Sequence, residues 1–205
     1  MLDPRVTRLA ELLTTHSTKL TAHDKVLIHA FDIPEEAVAE VVRVVRSKGA
    51  QAVVRLESNR ISRVLKRHMD EENAATIADI ESYEIDRMTA YIALRGGNNA
   101  SEGGDIPDDK LALWQKVYAV PVVFQRRVPN TKWVVLRWPS PGMAMQANMS
   151  TDAFEDFYFD VCTLDYARMK EAAQPLVELM NRTDRVRLVG PGTDLSFSIK
   201  GIGSV

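Results

Sequence analysis

The sequence predicts an α/β protein in which a mostly parallel sheet carries helices on both faces. Two observations support this fold class. Short apolar runs alternate along the chain with longer stretches whose apolar residues recur at helical spacing. The links between successive apolar runs are long enough for the crossover connections that parallel strands need. Alternation of this kind covers one sheet with helices on both sides.

A strand–helix–strand unit in the first quarter of the chain sets the pattern. After an amphipathic helical stretch over residues 4–20, the continuous apolar run 25–31 is typical of a strand buried on both faces. Pro34 stands at a predicted helix start, and Gly49 stands at its end, where glycine tolerates a left-handed cap. Residues 52–56 form the second predicted strand.

The pattern repeats in the middle of the chain. The spacing of apolar residues predicts a helix over 61–80, a strand over 89–94 and a helix over 107–117. Pro121 is expected to kink or end that last helix. Residues 132–137 form the fourth predicted strand, so the domain is expected to contain at least four strands in one sheet.

Two helical stretches and a hairpin are predicted in the remaining quarter. Ser150 is a candidate N-cap for the first helix, and Pro175 interrupts or restarts the second. Alternating apolar residues over 186–188 and 195–199 then flank a Gly-Pro-Gly-Thr-Asp turn, which is a hairpin signal. Because an isolated hairpin is marginal in water, we expect it to pack on its own domain or on another copy.

Composition excludes several classes of partner. The chain has 205 residues and a formal net charge of −2, so no positive excess is available to neutralise nucleic-acid phosphates. The N-terminus lacks an apolar signal segment, and no apolar run approaches the length of a membrane span. The single cysteine, Cys162, can form no intrachain disulfide, and together these features predict a cytoplasmic protein that binds neither nucleic acid nor membrane.

The glycine-rich segment over residues 95–104 is the first candidate for chemistry. It follows a predicted strand and precedes a helix, where open α/β sheets bind their ligands. It lacks both the G-x-G-x-x-G spacing and the lysine of a phosphate-binding loop. A connecting loop is therefore favoured, with a ligand loop as the alternative.

The titratable side chains each have a simpler structural interpretation. His29 is expected to be a hydrogen-bonded core residue, and Cys162 a small buried hydrophobe without a histidine to activate it. No histidine has metal-ligand spacing, and the other three are expected to be solvated: His16, His23 and His68. A solvated acidic face is favoured over a carboxylate metal site for four further residues: Glu155, Asp156, Asp160 and Asp165.

Two tryptophans and an arginine surround the end of the fourth strand. Trp133 is expected to point to a helical layer, while Trp138 leaves the sheet at the following proline turn. Core and interface packing is favoured for both over direct substrate contact. Arg137 could form a bidentate bond with a peptide carboxylate or pair with an acid on a neighbouring helix, and the sequence leaves both open.

Several long segments in a fixed order carry a more specific signal than any single motif. They are residues 131–141 (TKWVVLRWPSP), 149–151 (MST), 154–159 (FEDFYF), 162–166 (CTLDY) and 190–195 (GPGTDL). Together they resemble the aminopeptidase T / aminopeptidase S / PepS family of two-metal exopeptidases.

The resemblance implies a domain organisation and a function. Residues 1–184 would be the α/β N-terminal domain of a metal-dependent aminopeptidase acting on peptides, and 185–205 the start of its metal-binding catalytic domain. Two divalent ions, cobalt, zinc or similar, would be held by ligands beyond Val205, leaving no catalytic or metal-binding residue in this chain. The resemblance also implies a homodimer. Arg137 and Trp138 are the substrate-side candidates, because this stretch lies near the domain junction in the family.

The alternative is a different class of protein. A non-catalytic α/β binding or assembly module, complete at 205 residues, would show the same alternation of strands and helices.

Overall fold

The computed structural model describes residues 3–203 and confirms the predicted α/β class. Four parallel strands form one sheet in the order β2-β1-β3-β4, and two antiparallel strands form a separate hairpin. The sheet strands are β1 (Lys25–Phe31), β2 (Gln51–Glu57), β3 (Ala90–Arg95) and β4 (Lys132–Arg137). The hairpin strands are β5 (Arg185–Gly190) and β6 (Thr193–Ser198). All four predicted sheet strands are thus confirmed.

Helices occupy most of the connections between the strands. The α-helices are α1 (Pro4–Leu12), α2 (Glu35–Ser47), α3 (Asn59–His68), α4 (Glu71–Ile85), α5 (Asp108–Trp114), α6 (Val128–Asn130), α7 (Pro141–Gln146), α8 (Thr151–Cys162) and α9 (Tyr166–Arg182). Two π-helical segments, Leu13–Ser17 and Gln115–Arg127, continue α1 and α5. No helix within residues 3–203 is both long and apolar enough to cross a bilayer.

The sheet separates two apolar clusters. One face of β1 and β3, carrying Ile28 and Ile92, packs against α1, α2 and α8. The other face, carrying Leu27 and Tyr91, packs against α4 and the π-helical segment Gln115–Arg127. Helices on both faces of the sheet, and a helix that follows Pro34 and packs on it, are therefore confirmed.

The two central strands are far more buried than the two edge strands. In β1 and β3 nearly every residue is buried, whereas β2 and β4 contain no buried residue. Trp133 shows the difference: it lies on β4 opposite Tyr91 and is 47% exposed, so the expectation that it packs in a helical layer is not met. An edge strand has only one neighbour, which leaves its side chains less covered.

Three helix predictions differ from the structure in detail. The predicted helix over 61–80 is two helices, because the Asp70 side chain accepts a hydrogen bond from the Asn73 N–H at 2.7 Å and starts α4 afresh. The helical path continues past Pro121 in π geometry, and α9 continues through Pro175. A proline removes one backbone hydrogen bond, and the turns on either side continue these helices.

Local signals placed several helix ends correctly. The Ser150 hydroxyl accepts a hydrogen bond from the Ala153 N–H, as expected of an N-cap. Gly49 follows the C-cap of α2 with φ = +81°, the left-handed conformation in which glycine is unstrained.

The chain divides into two compact units, with the boundary between Thr163 and Leu164. The second unit contains α9 and the hairpin, and none of its described residues is buried. The hairpin register places two apolar pairs on one face, Val186 with Phe197 and Leu188 with Leu195. The domain boundary that the family resemblance implies, between residues 184 and 185, stays a prediction.

The amino-terminal edge of the sheet is held by one buried carboxylate. Asp24 accepts hydrogen bonds from the Lys132 ammonium at 2.9 Å, the Thr89 hydroxyl at 2.7 Å and the Thr21 N–H at 2.7 Å. Burial alone would raise the pKa of Asp24, but the hydrogen bonds from these three residues outweigh it and hold that pKa well below its usual range. Asp24 therefore ties β1 to the starts of β3 and β4.

At the carboxyl edge, Gly96 allows β1 and β3 to end in close contact. Its N–H donates to the Phe31 carbonyl at 2.7 Å. A Cβ on residue 96 would lie 2.7 Å from Ile33 Cγ2 and 2.9 Å from the Phe31 carbonyl oxygen, and closer still to the Asp32 carbonyl oxygen. Backbone atoms cannot retreat as a flexible side chain can, so only glycine fits here.

Replacement of the buried carboxylate should destabilise the fold in a pH-dependent way. We expect Asp24→Asn to lower the free energy of unfolding by about 2–4 kcal/mol at neutral pH, because it leaves Lys132 without its counter-ion. Since the folded-state pKa lies below the unfolded one, the stabilisation is complete above about pH 4 and declines as the pH falls below that value. Urea denaturation of both proteins from pH 7 to pH 3 measures the difference.

The exposed Asp79→Asn on α4 is the matched control and should change stability little. A constant difference between wild type and Asp24→Asn across this pH range would contradict the assigned role.

Gly96→Ala should be destabilising by about 2–3 kcal/mol, because the added methyl group overlaps the backbone at the end of β1. Gly103→Ala serves as the control, since its Cβ would only reach ordinary contact with Ile106 at 3.4 Å. Thermal unfolding followed by circular dichroism compares the two. Equal melting temperatures for the two variants would show that the carboxyl edge is not tightly packed.

Candidate functional site

The carboxyl edge of the sheet has the topology of a ligand site. From β1 the chain crosses to β2 on one side, and from β3 it crosses to β4 on the other. Open α/β sheets bind ligands where neighbouring connections diverge in this way, outside the carboxyl ends of the two central strands. In this protein that position lies beyond Phe31 and Arg95, which are partners in the β1–β3 register.

Two adjoining cavities occupy this edge. The first, of about 290 Å³, lies between the loop that follows β3 and the start of α7. The second, of about 570 Å³, lies beneath α3 and the π-helical segment, over the face of the sheet that carries His29 and Tyr91. The cavities share Asn59, Ser62, Lys66 and Arg95.

The glycine-rich segment 95–104 forms a wall of the first cavity in addition to connecting β3 to α5. The Asn59 side-chain amide donates to the Gly96 carbonyl at 3.0 Å, and Gly97 has φ = +119°. Both the connecting role and a lining role are therefore present, and the ligand-loop alternative stays open.

The two substrate-side candidates from the sequence meet in the first cavity. Arg137 and Trp138 both line it, as expected from their position at the end of β4. The Trp138 ring packs edge-on against Phe159, with ring centroids 6.1 Å apart, so packing is part of its role. The Tyr158 hydroxyl donates to the Arg137 carbonyl. Within residues 3–203 the Arg137 guanidinium has no carboxylate partner, although the roles of both residues stay predictions.

His29 is a hydrogen-bonded core residue, as predicted, and it also lies on the floor of the second cavity. It is buried, with Nδ1 2.9 Å from the Tyr91 hydroxyl and Nε2 2.8 Å from Glu57 Oε1. The hydrogen bond with His29 outweighs burial and lowers the pKa of the Glu57 carboxyl. Glu57 is therefore an anion with an established partner.

A second carboxylate on the cavity wall also has hydrogen-bond and ion-pair partners. Glu81 accepts a hydrogen bond from the Tyr118 hydroxyl and forms an ion pair with Arg55 at 2.6 Å. Arg55 also pairs with Glu84 at 2.6 Å. Burial, with the nearby Glu81 charge, raises the pKa of the Tyr118 phenol far above its usual range, so this group stays protonated.

Three cations around the second cavity have aromatic neighbours in place of carboxylates. The Arg127 guanidinium carbon is 4.3 Å from the Tyr91 ring centroid, and that of Arg95 is 4.8 Å from the Phe31 ring centroid. The Lys66 ammonium is 4.7 Å from the Trp114 ring centroid, and burial lowers its pKa. None of the three forms an ion pair with any residue that the structure describes. Such cation–π contacts provide only partial compensation for charge.

The π geometry of Gln115–Arg127 aligns the helix residues that line the second cavity. These residues are Gln115, Tyr118, Ala119, Val123, Phe124 and Arg127. At about 4.4 residues per turn they fall within a sector of about 130°, whereas α geometry would spread them over about 240°. The wider helix thus presents Arg127 to the cavity, while the adjacent Arg126 pairs with Asp86 outside it.

The remaining sequence candidates form no site. The histidines at 16, 23 and 68 are exposed, and Cys162 is half-buried against the core with a thiol pKa raised by burial. Arg5 pairs with Asp156 at 2.5 Å and with Glu155 at 3.8 Å, while Asp160 and Asp165 are exposed. Among residues 3–203 no group of three or more His, Cys, Asp or Glu side chains could hold a metal ion.

Sequence reasoning missed the three cavity cations. Lys66 fell within a predicted helix and Arg127 in no predicted element, and neither was a candidate, while Arg95 began the glycine-rich segment. The available signal was weak: Arg95 continues the alternation of β3 and therefore lies on the same face as Tyr91. The other two depend on a helix break and a π segment that local patterns did not show.

The comparisons with known proteins agree with this architecture. Wild-type AmpT from Thermus thermophilus superimposes with a TM-score of 0.73 at 18% sequence identity, a likeness of fold that covers 95% of this chain and 53% of that one. This chain therefore spans about half the length of that solved structure. No curated protein matches the chain by sequence. The sequence profile of the family described as thermophilic metalloprotease (M29) matches residues 2–201. Because this match covers almost the whole chain, the protein belongs to the thermophilic metalloprotease family M29, that of aminopeptidases T and S.

Proposed function

We propose that this chain is the N-terminal α/β domain of a cytoplasmic metal-dependent aminopeptidase, which removes N-terminal residues from peptides. The observation that carries the proposal is the family match over residues 2–201. The α/β fold shared with the Thermus thermophilus protein supports it. The lone Cys162, half-buried and unpaired, suits a reducing compartment.

The metal ions that family membership implies do not fit the residues described. Residues 3–203 contain no cluster of ligating side chains, and a catalytic divalent ion needs several converging protein ligands. We therefore propose that the ligands for the two ions, cobalt, zinc or similar, lie beyond Val205. No step of peptide hydrolysis is assigned to the α/β domain itself.

Arg137 and Trp138 are proposed to contact the peptide substrate. A guanidinium without a carboxylate partner can bind the C-terminal carboxylate of a short peptide through two parallel hydrogen bonds. Trp138 beside it would pack against an apolar side chain. Both residues line the first cavity, which supports a shared role.

The C-terminal hairpin is proposed to join a dimer interface. One face carries four apolar side chains, of which Leu188, Leu195 and Phe197 are exposed and Val186 is half-buried. The other face carries a bidentate Arg187–Asp194 pair with both bonds at 2.7 Å. A two-stranded ribbon with one apolar face needs a covering surface to be stable, and a second copy of the protein would supply it.

A non-catalytic binding module is the rival proposal, and the second cavity favours it. A binding protein could use, without any metal, a cavity of about 570 Å³ whose cations form no ion pair among residues 3–203. The two proposals differ in whether a metal-binding region accompanies this domain.

The 205-residue protein should not hydrolyse peptides. Purified protein supplied with cobalt, zinc or manganese is expected to release no amino-terminal residue from a short peptide, because the ligand set is absent from residues 3–203. A ninhydrin-based peptidase assay combined with elemental analysis measures both activity and bound metal.

The control is the longer protein, if the native reading frame continues past codon 205. Metal-dependent activity in that form alone would support the proposal. Hydrolysis by the 205-residue protein that survives further purification and disappears with a chelator would contradict it. A stop codon directly after Val205 would favour the binding module.

Removal of residues 185–205 should change the association of the protein and leave the sheet domain folded. We expect the sedimentation coefficient to fall from that of a dimer to that of a monomer, because the apolar face of the hairpin is lost. Analytical ultracentrifugation and circular dichroism measure the two properties.

A subtler variant tests the same face without deletion. Leu188→Glu places a charge on the apolar side and should dissociate the dimer, whereas Arg187→Glu on the opposite face should not do so. Clean monomers of equal thermal stability for all forms would rule out an assembly role for the hairpin.

A further inference from the structure

The second cavity has the size and lining of a small-molecule site. Its volume of about 570 Å³ lies within the range of ligand pockets in proteins. It is built on rigid elements, with β1 and β3 as its floor and α3 and the π-helical segment Gln115–Arg127 around it. Sites supported in this way are preorganised.

The charges around this cavity are unbalanced. Lys66, Arg95 and Arg127 have no carboxylate partner within residues 3–203. The two carboxylates nearby already have partners. Glu57 is hydrogen-bonded to His29, and Glu81 accepts a hydrogen bond from Tyr118 and pairs with Arg55. Lys66 and Arg127 are half-buried and Arg95 is exposed at the mouth, and half-buried cations that lack counter-ions favour an anionic ligand.

The rest of the lining is apolar and aromatic. It includes Leu56, Ile61, Leu65, Met69, Val123 and Phe124. Trp114 and Tyr118 stack with ring centroids 3.9 Å apart and add a flat aromatic wall. An inorganic anion would leave this surface in contact with water, whereas an organic anion would bury it.

We propose that the second cavity binds a small organic carboxylate with an apolar or aromatic body, held at its charged end by Lys66, Arg95 and Arg127. A carboxylate suits the planar guanidinium groups, which can bind both of its oxygens. A singly charged ligand is favoured over a phosphate dianion, because the lining also contains two carboxylates, Glu57 and Glu81, whose charges would repel the second negative charge. This binding is independent of peptide hydrolysis and does not rest on the proposed aminopeptidase role.

Isothermal titration calorimetry of the 205-residue protein with 3-phenylpropionate tests the proposal. Three probes share the phenylethyl body and differ in the head group: 3-phenylpropionate, the neutral 3-phenylpropanamide and 2-phenylethyl phosphate. The carboxylate should bind at least tenfold more tightly than the amide, because only the carboxylate neutralises the cations. Equal affinity for acid and amide would overturn the proposal, and tighter binding of 2-phenylethyl phosphate would overturn its choice of a carboxylate.

Matched variants locate the binding to this cavity. Arg127→Gln should weaken 3-phenylpropionate binding about tenfold or more, while Arg126→Gln, one residue away and paired with Asp86 outside the cavity, should not change it. Ala119→Phe fills the cavity without changing charge and should abolish binding. Circular dichroism of each variant checks that the fold is retained. Equal weakening by both arginine variants, unchanged binding in Ala119→Phe, or no heat of binding at millimolar ligand would each contradict the proposal.

Discussion

The parallel pairing of β1 with β3 is the constraint on which the rest of the structure depends. Both strands are buried on both faces, so each needs a neighbouring strand on its other side and a helical layer above and below. The crossovers from β1 and β3 then run in opposite directions, to β2 and to β4, which opens a crevice between the carboxyl ends of β1 and β3. The position of both cavities follows from this pairing, together with the close approach of Gly96 to Phe31.

The two faces of this strand pair have different chemistry. Towards α1, α2 and α8 the two strands present only apolar side chains, such as Ile28, Ile92 and Leu94. On the opposite face, His29 and Tyr91 alternate with apolar residues and hydrogen-bond to each other, and the helices above them leave a cavity. The sheet therefore has one face that stabilises the fold and one that holds titratable groups in a fixed arrangement.

The sequence predicted what depends on local pattern and missed what depends on three-dimensional neighbours. Apolar runs identified all four sheet strands, and Gly49 and Ser150 marked helix ends. The position of Arg137 and Trp138 after a strand placed them in a cavity. The break before α4 and the π segment leave no periodic signal. Lys66 and Arg127 were not candidates, because the rings that they contact, Trp114 and Tyr91, lie far away in the sequence.

In the π-helical segment Gln115–Arg127, helix geometry as well as side-chain identity decides which residues line the second cavity. Its wider turn brings Arg127 rather than Arg126 over Tyr91. A change of this segment from π to α geometry would rotate its last turns about the axis. A different set of side chains would then face the cavity although no lining residue had been substituted.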